Sequence, residues 1–86
     1  MKIDFHRNFD KRLSKLTKKQ KEQFTLRLIE FLQDEYKPAL NNHGLRGGFE
    51  GYRSINVTGD IRAIFIAHSE DHVEFVDIGS HSQLYG

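Results

Sequence analysis

The stretch Tyr52-Arg53-Ser54-Ile55-Asn56-Val57-Thr58-Gly59-Asp60-Ile61-Arg62-Ala63-Ile64-Phe65-Ile66-Ala67 decides the fold. It reads as two strands joined by a short turn. Tyr52 to Val57 mixes β-branched, aromatic and polar residues. Ile61 to Ala67 is apolar on both faces, as a central strand is. Between them, Thr58-Gly59-Asp60 fits a three-residue hairpin loop, with Gly59 able to supply the positive φ that such a loop uses. If Val57 faces Ile61, then Asn56 faces Arg62 and Ser54 faces Ile64. Successive side chains alternate between the two faces of a sheet. Ile55, Val57, Ile61, Ala63 and Phe65 then share an apolar face suited to covering helices. Tyr52, Ser54, Asn56 and Arg62 share the opposite, half-polar face, as the floor of a binding cleft would. A two-residue loop would reverse this parity.

Working outward, Ser69-Glu70-Asp71 is a second turn, and His72 to Ile78 a third strand. Upstream, residues 39–50 read as loop, with Asn41-Asn42, Gly44, Gly47 and Gly48. Before them, Thr17-Lys18-Lys19-Gln20 is a capping box, in which the Thr hydroxyl and the Gln side chain each satisfy an orphan backbone N–H. It opens a helix over about 18–35. Phe24, Leu28, Phe31 and Leu32 form its apolar stripe, with Ile29 beside it. Pro38 ends it, because proline disfavours helical geometry in the preceding residue. Phe9, Leu13 and Leu16 recur at helical spacing and predict an earlier helix over 8–16. Met1 to Phe5 alternates as a short strand. The order β-α-α-β-β-β implies an α+β fold, an antiparallel sheet with two N-terminal helices on one face. Residues 1–86 form a single domain.

Eighty-six residues suffice for one modest core; chains below about 40 residues usually need covalent or metal staples. The chain has no Cys, which removes disulfides, cysteine zinc sites and thiol nucleophiles from consideration. The first residues have no apolar signal-peptide region. Ala63-Ile64-Phe65-Ile66-Ala67 is far shorter than the roughly 20 apolar residues of a membrane span. A soluble, cytoplasmic protein is expected, with no membrane partner. Formal net charge is +1, but it is unevenly spread. Residues 1–43 carry ten Lys/Arg against six Asp/Glu, and residues 44–86 carry three against six. The basic half can attract phosphate backbones; it can equally be a solvated helix face.

Standard catalytic signatures are missing. There is no P-loop, dinucleotide-binding glycine pattern or Gly-x-Ser-x-Gly elbow. His68 and His72 have metal-like spacing, but they flank a turn and read as surface residues. His6 reads as a residue at the start of the first helix.

Four segments in order carry a resemblance. They are Leu45-Arg46-Gly47 with Gly51-Tyr52-Arg53, then Asp60-Ile61-Arg62, then the ending Ile78-Gly79-Ser80-His81-Ser82-Gln83-Leu84-Tyr85. Together they resemble the RelE/ParE superfamily of toxins. His43-Gly44-Leu45 and the Gly-Ser-His-Ser-x-Leu-Tyr ending are most similar to its YafQ branch. The resemblance spans essentially the whole chain. It implies an RNase-like fold, the toxin half of a type II toxin–antitoxin system, and cleavage of mRNA, often in the ribosomal A site. It implies chemistry without a metal or other cofactor. A 2′-hydroxyl attacks the adjacent phosphate, leaving a 2′,3′-cyclic phosphate and a 5′-hydroxyl. That step calls for a base, an acid and a cation for the charged phosphorane.

The resemblance assigns these tasks to His81, Arg62, His43, Asp60 and Tyr85. His81 matches the family's C-terminal catalytic histidine and is assigned the acid role; imidazoles titrate near neutrality. Arg62 matches the strand arginine of RelE relatives, whose guanidinium can hold two phosphate oxygens. His43 matches a loop histidine and is the second acid–base candidate, or an ordinary loop residue. Asp60 either orients a histidine or acts as base, or is an ordinary turn aspartate. Tyr85 either stacks on a base, places its hydroxyl near the phosphate, or anchors the tail on the sheet. Arg46, Arg53 and Asn56 are the RNA-contacting candidates. The tail should fold back to bring His81 and Tyr85 to the sheet face carrying Asn56 and Arg62.

Two positions depart from the YafQ branch. Asn56 stands where that branch has a histidine, and Ile61 where it has a tryptophan. Asn56 can hydrogen-bond but cannot serve as an acid–base group of the histidine kind. Two other readings therefore stay open: a non-catalytic ParE-like toxin acting on DNA gyrase, and an inactive relative that only binds an antitoxin.

Overall fold

The computed structural model describes residues 1–86. Strand β1 (Lys2–Phe5) leads into helix α1 (Arg7–Ser14) and helix α2 (Lys18–Gln33). A single 3-10 turn (Pro38–Leu40) precedes the short strand β2 (His43–Gly44). Then come β3 (Tyr52–Asn56), β4 (Ile61–Ser69), β5 (His72–Ser80) and a terminal helix α3 (His81–Tyr85). The sheet order is β1-β5-β4-β3-β2. No helix is long and apolar enough to cross a membrane.

The central hairpin has the register its sequence implies. Ser54 faces Ile64, Ile55 faces Ala63 and Asn56 faces Arg62, and Val57 N–H donates to the Ile61 carbonyl at 2.9 Å. Ile55, Val57, Ile61, Ala63 and Phe65 are all buried in the core. The turn, however, does not use Gly59 in the left-handed region; that conformation falls on Gly47, Gly48, Gly51 and Gly86. Thr58 closes the turn instead. Its Oγ1 accepts from the N–H groups of Asp60 (3.2 Å) and Ile61 (2.9 Å). A hydroxyl that satisfies two turn N–H groups makes the special glycine conformation unnecessary.

The α+β architecture matches expectation, with one refinement: the sheet is mixed. β1 runs parallel to β5, pairing Lys2 with His72 through Phe5 with Phe75. The crossover between them, through both helices and three strands, permits a parallel pair where a hairpin cannot. The loop expected over 39–50 also contains β2, which pairs with β3 through His43–Ser54 and Gly44–Arg53.

The helices are shorter than their spacing predicts. His6 caps α1, its Nδ1 accepting from Asn8 N–H at 3.0 Å. The Thr17–Gln20 capping box of α2 is formed in both directions. Asp34, not Pro38, ends α2: its backbone is extended, and its Oδ1 accepts from Tyr36 N–H at 3.0 Å. Pro38 instead opens the following 3-10 turn. Phe24 and Phe31 face the sheet two helical turns apart. Leu32 and Ile29, expected on the apolar stripe or beside it, are 53% and 49% exposed, with Leu26 at 55%. These three recur every third residue and form a separate apolar line on the outer side of α2.

Phe75 is the centre of the core. Its ring centroid lies 5.4–5.9 Å from those of Phe5, Phe9, Phe24, Phe31 and Phe65. Residues from β1, both long helices and β4 thus converge on one side chain of β5. This leaves the opposite sheet face clear of the two long helices.

Candidate active site

On that open face, side chains line up across the strands. His43, Ser54 and Ile64 form one row of cross-strand partners; Asn56, Arg62 and Gly79 form the next. A concavity of about 250 Å³ is lined by His43, Leu45, Ser54, Arg62, His81 and Tyr85. Four of the five catalytic candidates therefore meet. Larger hollows exist. The largest, about 460 Å³, lies between the start of α2 and the Thr58-Gly59 turn. Its lining has no histidine, and none of the candidate acid–base groups reaches it.

His43 is held from below. Asn41 adopts the left-handed conformation (φ 46°, ψ 48°) that a short amide side chain tolerates. This presents its carbonyl to Nδ1 of His43 at 2.8 Å. A carbonyl only accepts, so Nδ1 carries the proton, and Nε2 of the neutral ring has its lone pair free.

Arg62 is half-buried. Its Nη1 donates to the carbonyls of Thr58 (2.9 Å), Gly59 (3.2 Å) and Ile61 (3.3 Å). One arm of the guanidinium thus grips the hairpin turn, and no protein partner engages Nε or Nη2. The fork is thereby held in one orientation.

His81 opens α3. Ser80 caps this helix, its Oγ accepting from Gln83 N–H while Gln83 Oε1 accepts from Ser80 N–H. The Gly-Ser-His-Ser-Gln run thereby acquires a physical reason. A Cβ on Gly79 would come within 2.9 Å of Gln83 Oε1 and 3.3 Å of Gln83 Cβ. Any larger residue would press on the Gln83 side chain that closes the capping box. Leu84 is buried, and Arg12 Nη2 donates to the Gln83 carbonyl at 3.3 Å. Arg12 Nε also pairs with Asp77 at 3.2 Å, both side chains largely shielded. Thus fixed, α3 sets His81 and Tyr85 one turn apart with ring centroids 4.8 Å apart. Tyr85 meets Phe49 edge-on at 5.5 Å.

The other candidates are placed differently. Asp60 sits on the turn outside the concavity; its carboxylate contacts no histidine, so the orienting role has no geometric basis in this structure. Asn56 lies beside Arg62 in the cross-strand row, its Oδ1 buried and unpartnered. Arg46 is exposed on the loop after β2. Arg53 departs from expectation. Its neighbours Tyr52 and Ser54 face the cleft, so Arg53 points to the opposite side. There its Nε donates to Asn42 Oδ1 at 2.8 Å, and its guanidinium lies 5.9 Å from the Tyr36 ring. It braces the segment before His43 and does not reach the cleft.

Ser54 was not among the sequence candidates, yet it lines the concavity. It is 1% exposed, and its Oγ has no protein partner. Buried hydroxyls are nearly always hydrogen-bonded. The only sequence signal was a small polar residue alternating with apolar ones on the cleft face.

His68 and His72 flank the turn between β4 and β5. His68 Nε2 pairs with Glu74 at 3.0 Å, and His72 Nε2 with Asp4 at 2.7 Å. The His72 hydrogen bond, helped by the charge of Lys2, holds the Asp4 carboxyl below its ordinary value against a smaller opposing effect of burial.

The family described as a bacterial toxin of type II toxin–antitoxin system, YafQ, matches residues 1–86. No curated protein matches the sequence. Among solved structures, the chain is similar to YafQ from E. coli strain BL21(DE3), at 21% identity and a TM-score of 0.79, covering 98% of this chain and 97% of that one. It is similar to YafQ in the E. coli DinJ–YafQ toxin–antitoxin complex, at 22% identity and 0.76, covering 98% and 96%. It is also similar to a YoeB/ParE toxin from Agrobacterium tumefaciens, at 15% identity and 0.77, covering 94% and 99%.

Proposed function

The chain belongs to the YafQ family of bacterial toxins of type II toxin–antitoxin systems, and on that premise we propose that it is an endoribonuclease that cuts mRNA, in the ribosomal A site. The observation that carries this reading is the shared concavity of His43, Arg62, His81 and Tyr85, with Nε2 of His43 free of protein partners. In the proposed step, His43 Nε2 takes the proton of a 2′-hydroxyl. The 2′-oxygen attacks the adjacent phosphorus, and protonated His81 gives its proton to the departing 5′-oxygen. The free arms of Arg62 meet the charge that builds on the phosphorane, the moment at which a fixed cation lowers the barrier most. Ser54 Oγ, buried and unpartnered, supplies a donor at the cleft floor. Tyr85 stacks on a base or contacts the phosphate. The products are a 2′,3′-cyclic phosphate and a 5′-hydroxyl.

A cognate antitoxin is the proposed protein partner. The exposed line Leu26, Ile29 and Leu32 supports a protein surface on α2. In the E. coli complex, the relative is bound to the antitoxin DinJ.

Primer extension on a translated mRNA, with and without ribosomes, tests the enzymatic reading. Cuts with cyclic phosphate ends are expected, and they should be lost in His81→Ala and Arg62→Ala. Equal cutting by wild type and His81→Ala would sink the active-site assignment. Growth arrest with intact mRNA and a DNA-damage response would favour the gyrase-directed alternative.

A further inference from the structure

Beside the catalytic concavity lies a second hollow of about 350 Å³ on the same sheet face. Two contacts join them. Phe49 lines the second hollow and packs edge-on against Tyr85 of the first. Ile64 lines the second and is the cross-strand partner of Ser54 in the first. A strand of RNA with its phosphate at Arg62 therefore has an adjoining recess at hand.

We propose that this hollow seats the base of the nucleotide flanking the cut and favours guanine; the proposal rests on the nuclease reading. Its walls are Phe49, Tyr52, Ile64 and Val76, and its polar groups are Asn8 and Asp77. Aromatic and apolar walls suit a flat base, which stacks regardless of identity. The polar groups add discrimination. Asn8 Nδ2 donates to the Val76 carbonyl at 3.3 Å, which fixes the amide so that Oδ1 is its free end. Asp77 Oδ1 accepts from Ile78 N–H at 2.8 Å and lies 3.2 Å from Arg12 Nε in an ion pair, leaving Oδ2 without a protein partner. Both free oxygens are acceptors. Guanine presents two adjacent donors, N1–H and the N2 amino group. Adenine and cytosine present one amino group beside a ring acceptor. Uracil presents one N–H between two carbonyls, which a carboxylate repels. The expected order is guanine, then adenine and cytosine, then uracil.

The test maps cut positions in cell-free translation of mRNAs that differ only in the base next to the cut. Wild type should cut beside guanine at least roughly tenfold more often than beside uracil, the scale of one hydrogen bond to a charged group. Asp77→Asn should reduce that ratio to about threefold or less. Asn8→Leu should also reduce it and leaves the Arg12–Asp77 pair intact, so it serves if Asp77→Asn does not fold. Titration of wild type with guanosine 5′-monophosphate should shift the Asn8 side-chain amide resonances, and uridine 5′-monophosphate should not. Cutting without base bias, or with the same bias in Asn8→Leu, overturns the subsite and leaves the nuclease standing. No cutting by folded wild type removes both.

Discussion

The carbonyl of Asn41 accepts a hydrogen bond from Nδ1 of His43 at 2.8 Å, and Asn41 is the one non-glycine residue with positive φ. A backbone conformation thereby favours the Nδ1–H tautomer of a side chain two residues on. Asn41→Gly should keep the carbonyl in place and preserve both stability and cleavage. Asn41→Val meets the left-handed penalty of about 1–2 kcal/mol. It should lower the melting temperature and reduce cleavage together, as read by thermal denaturation and by primer extension. Full cleavage by a folded Asn41→Val protein would separate His43 from the chemistry.

Arg62 grips the turn with one arm of its guanidinium and, in the proposed reaction, offers the rest to the phosphate. Arg62→Ala should cut cleavage by about a hundredfold or more, the scale for losing one preorganised charge-stabilising donor. It should also cost about 1 kcal/mol of stability through the lost turn bonds. Arg62→Lys should recover part of the stability but little of the activity, since an ammonium cannot grip the turn and hold a phosphate in the same geometry. Urea titration and single-turnover cleavage separate the two effects.

Ser54→Ala gives the opposite split. Removing a buried hydroxyl that has no protein partner should leave stability unchanged or raised by up to about 1 kcal/mol. If the hydroxyl meets the substrate, KM or kcat/KM should worsen by about tenfold on the same scale. A variant that is less stable yet fully active would show Ser54 to be structural only.

Gly79→Ala should displace Gln83 and open the capping box at the start of α3. The loss of such a cap is worth about 1 kcal/mol. Amide exchange should quicken over residues 80–86, with the core of β4 and β5 unaffected, and cleavage should fall because His81 and Tyr85 both ride on α3. Protection that remains at the wild-type level would contradict the contact geometry.

The Asp4–His72 pair makes an acid-sensitive tie between β1 and β5. The folded carboxyl ionises below its ordinary value of 3.8. Its contribution is therefore complete well above that value and is lost as pH falls through the lower, folded value. Denaturation midpoints measured from pH 5 down to pH 2 should show the gap between wild type and Asp4→Asn closing as acid is added. A gap independent of pH would refute the linkage.

Much of this was legible because the informative signals were local. Strand alternation fixed the Ser54–Ile64 and Asn56–Arg62 pairs, and capping chemistry fixed the start of α2. The same alternation, carried one residue back, turns Arg53 away from the cleft; the motif around it obscured the parity. β2 spans only two residues, too few to show a period. The end of α2 depended on an aspartate accepting from the backbone N–H two residues on, which competes with the more conspicuous proline. The parallel pairing of β1 and the role of Arg12 join residues far apart in the chain, and no local pattern encodes them. Asp60 shows the limit of transferring a motif: its sequence position matches, but its carboxylate stands outside the concavity.

The pairing of β1 with β5 also has a temporal consequence. During synthesis the first strand leaves the ribosome long before its partner exists, and Phe75, on which the aromatic core converges, arrives with that partner. Until then β1, α1 and α2 have no centre to close around, and the surface bearing Arg62 lacks the helix that carries His81. Under the proposed nuclease reading, a growing chain of this design carries no complete site. On that reading the site is complete only once β5 and α3 have emerged, which would give a cognate antitoxin time to meet the protein as it folds.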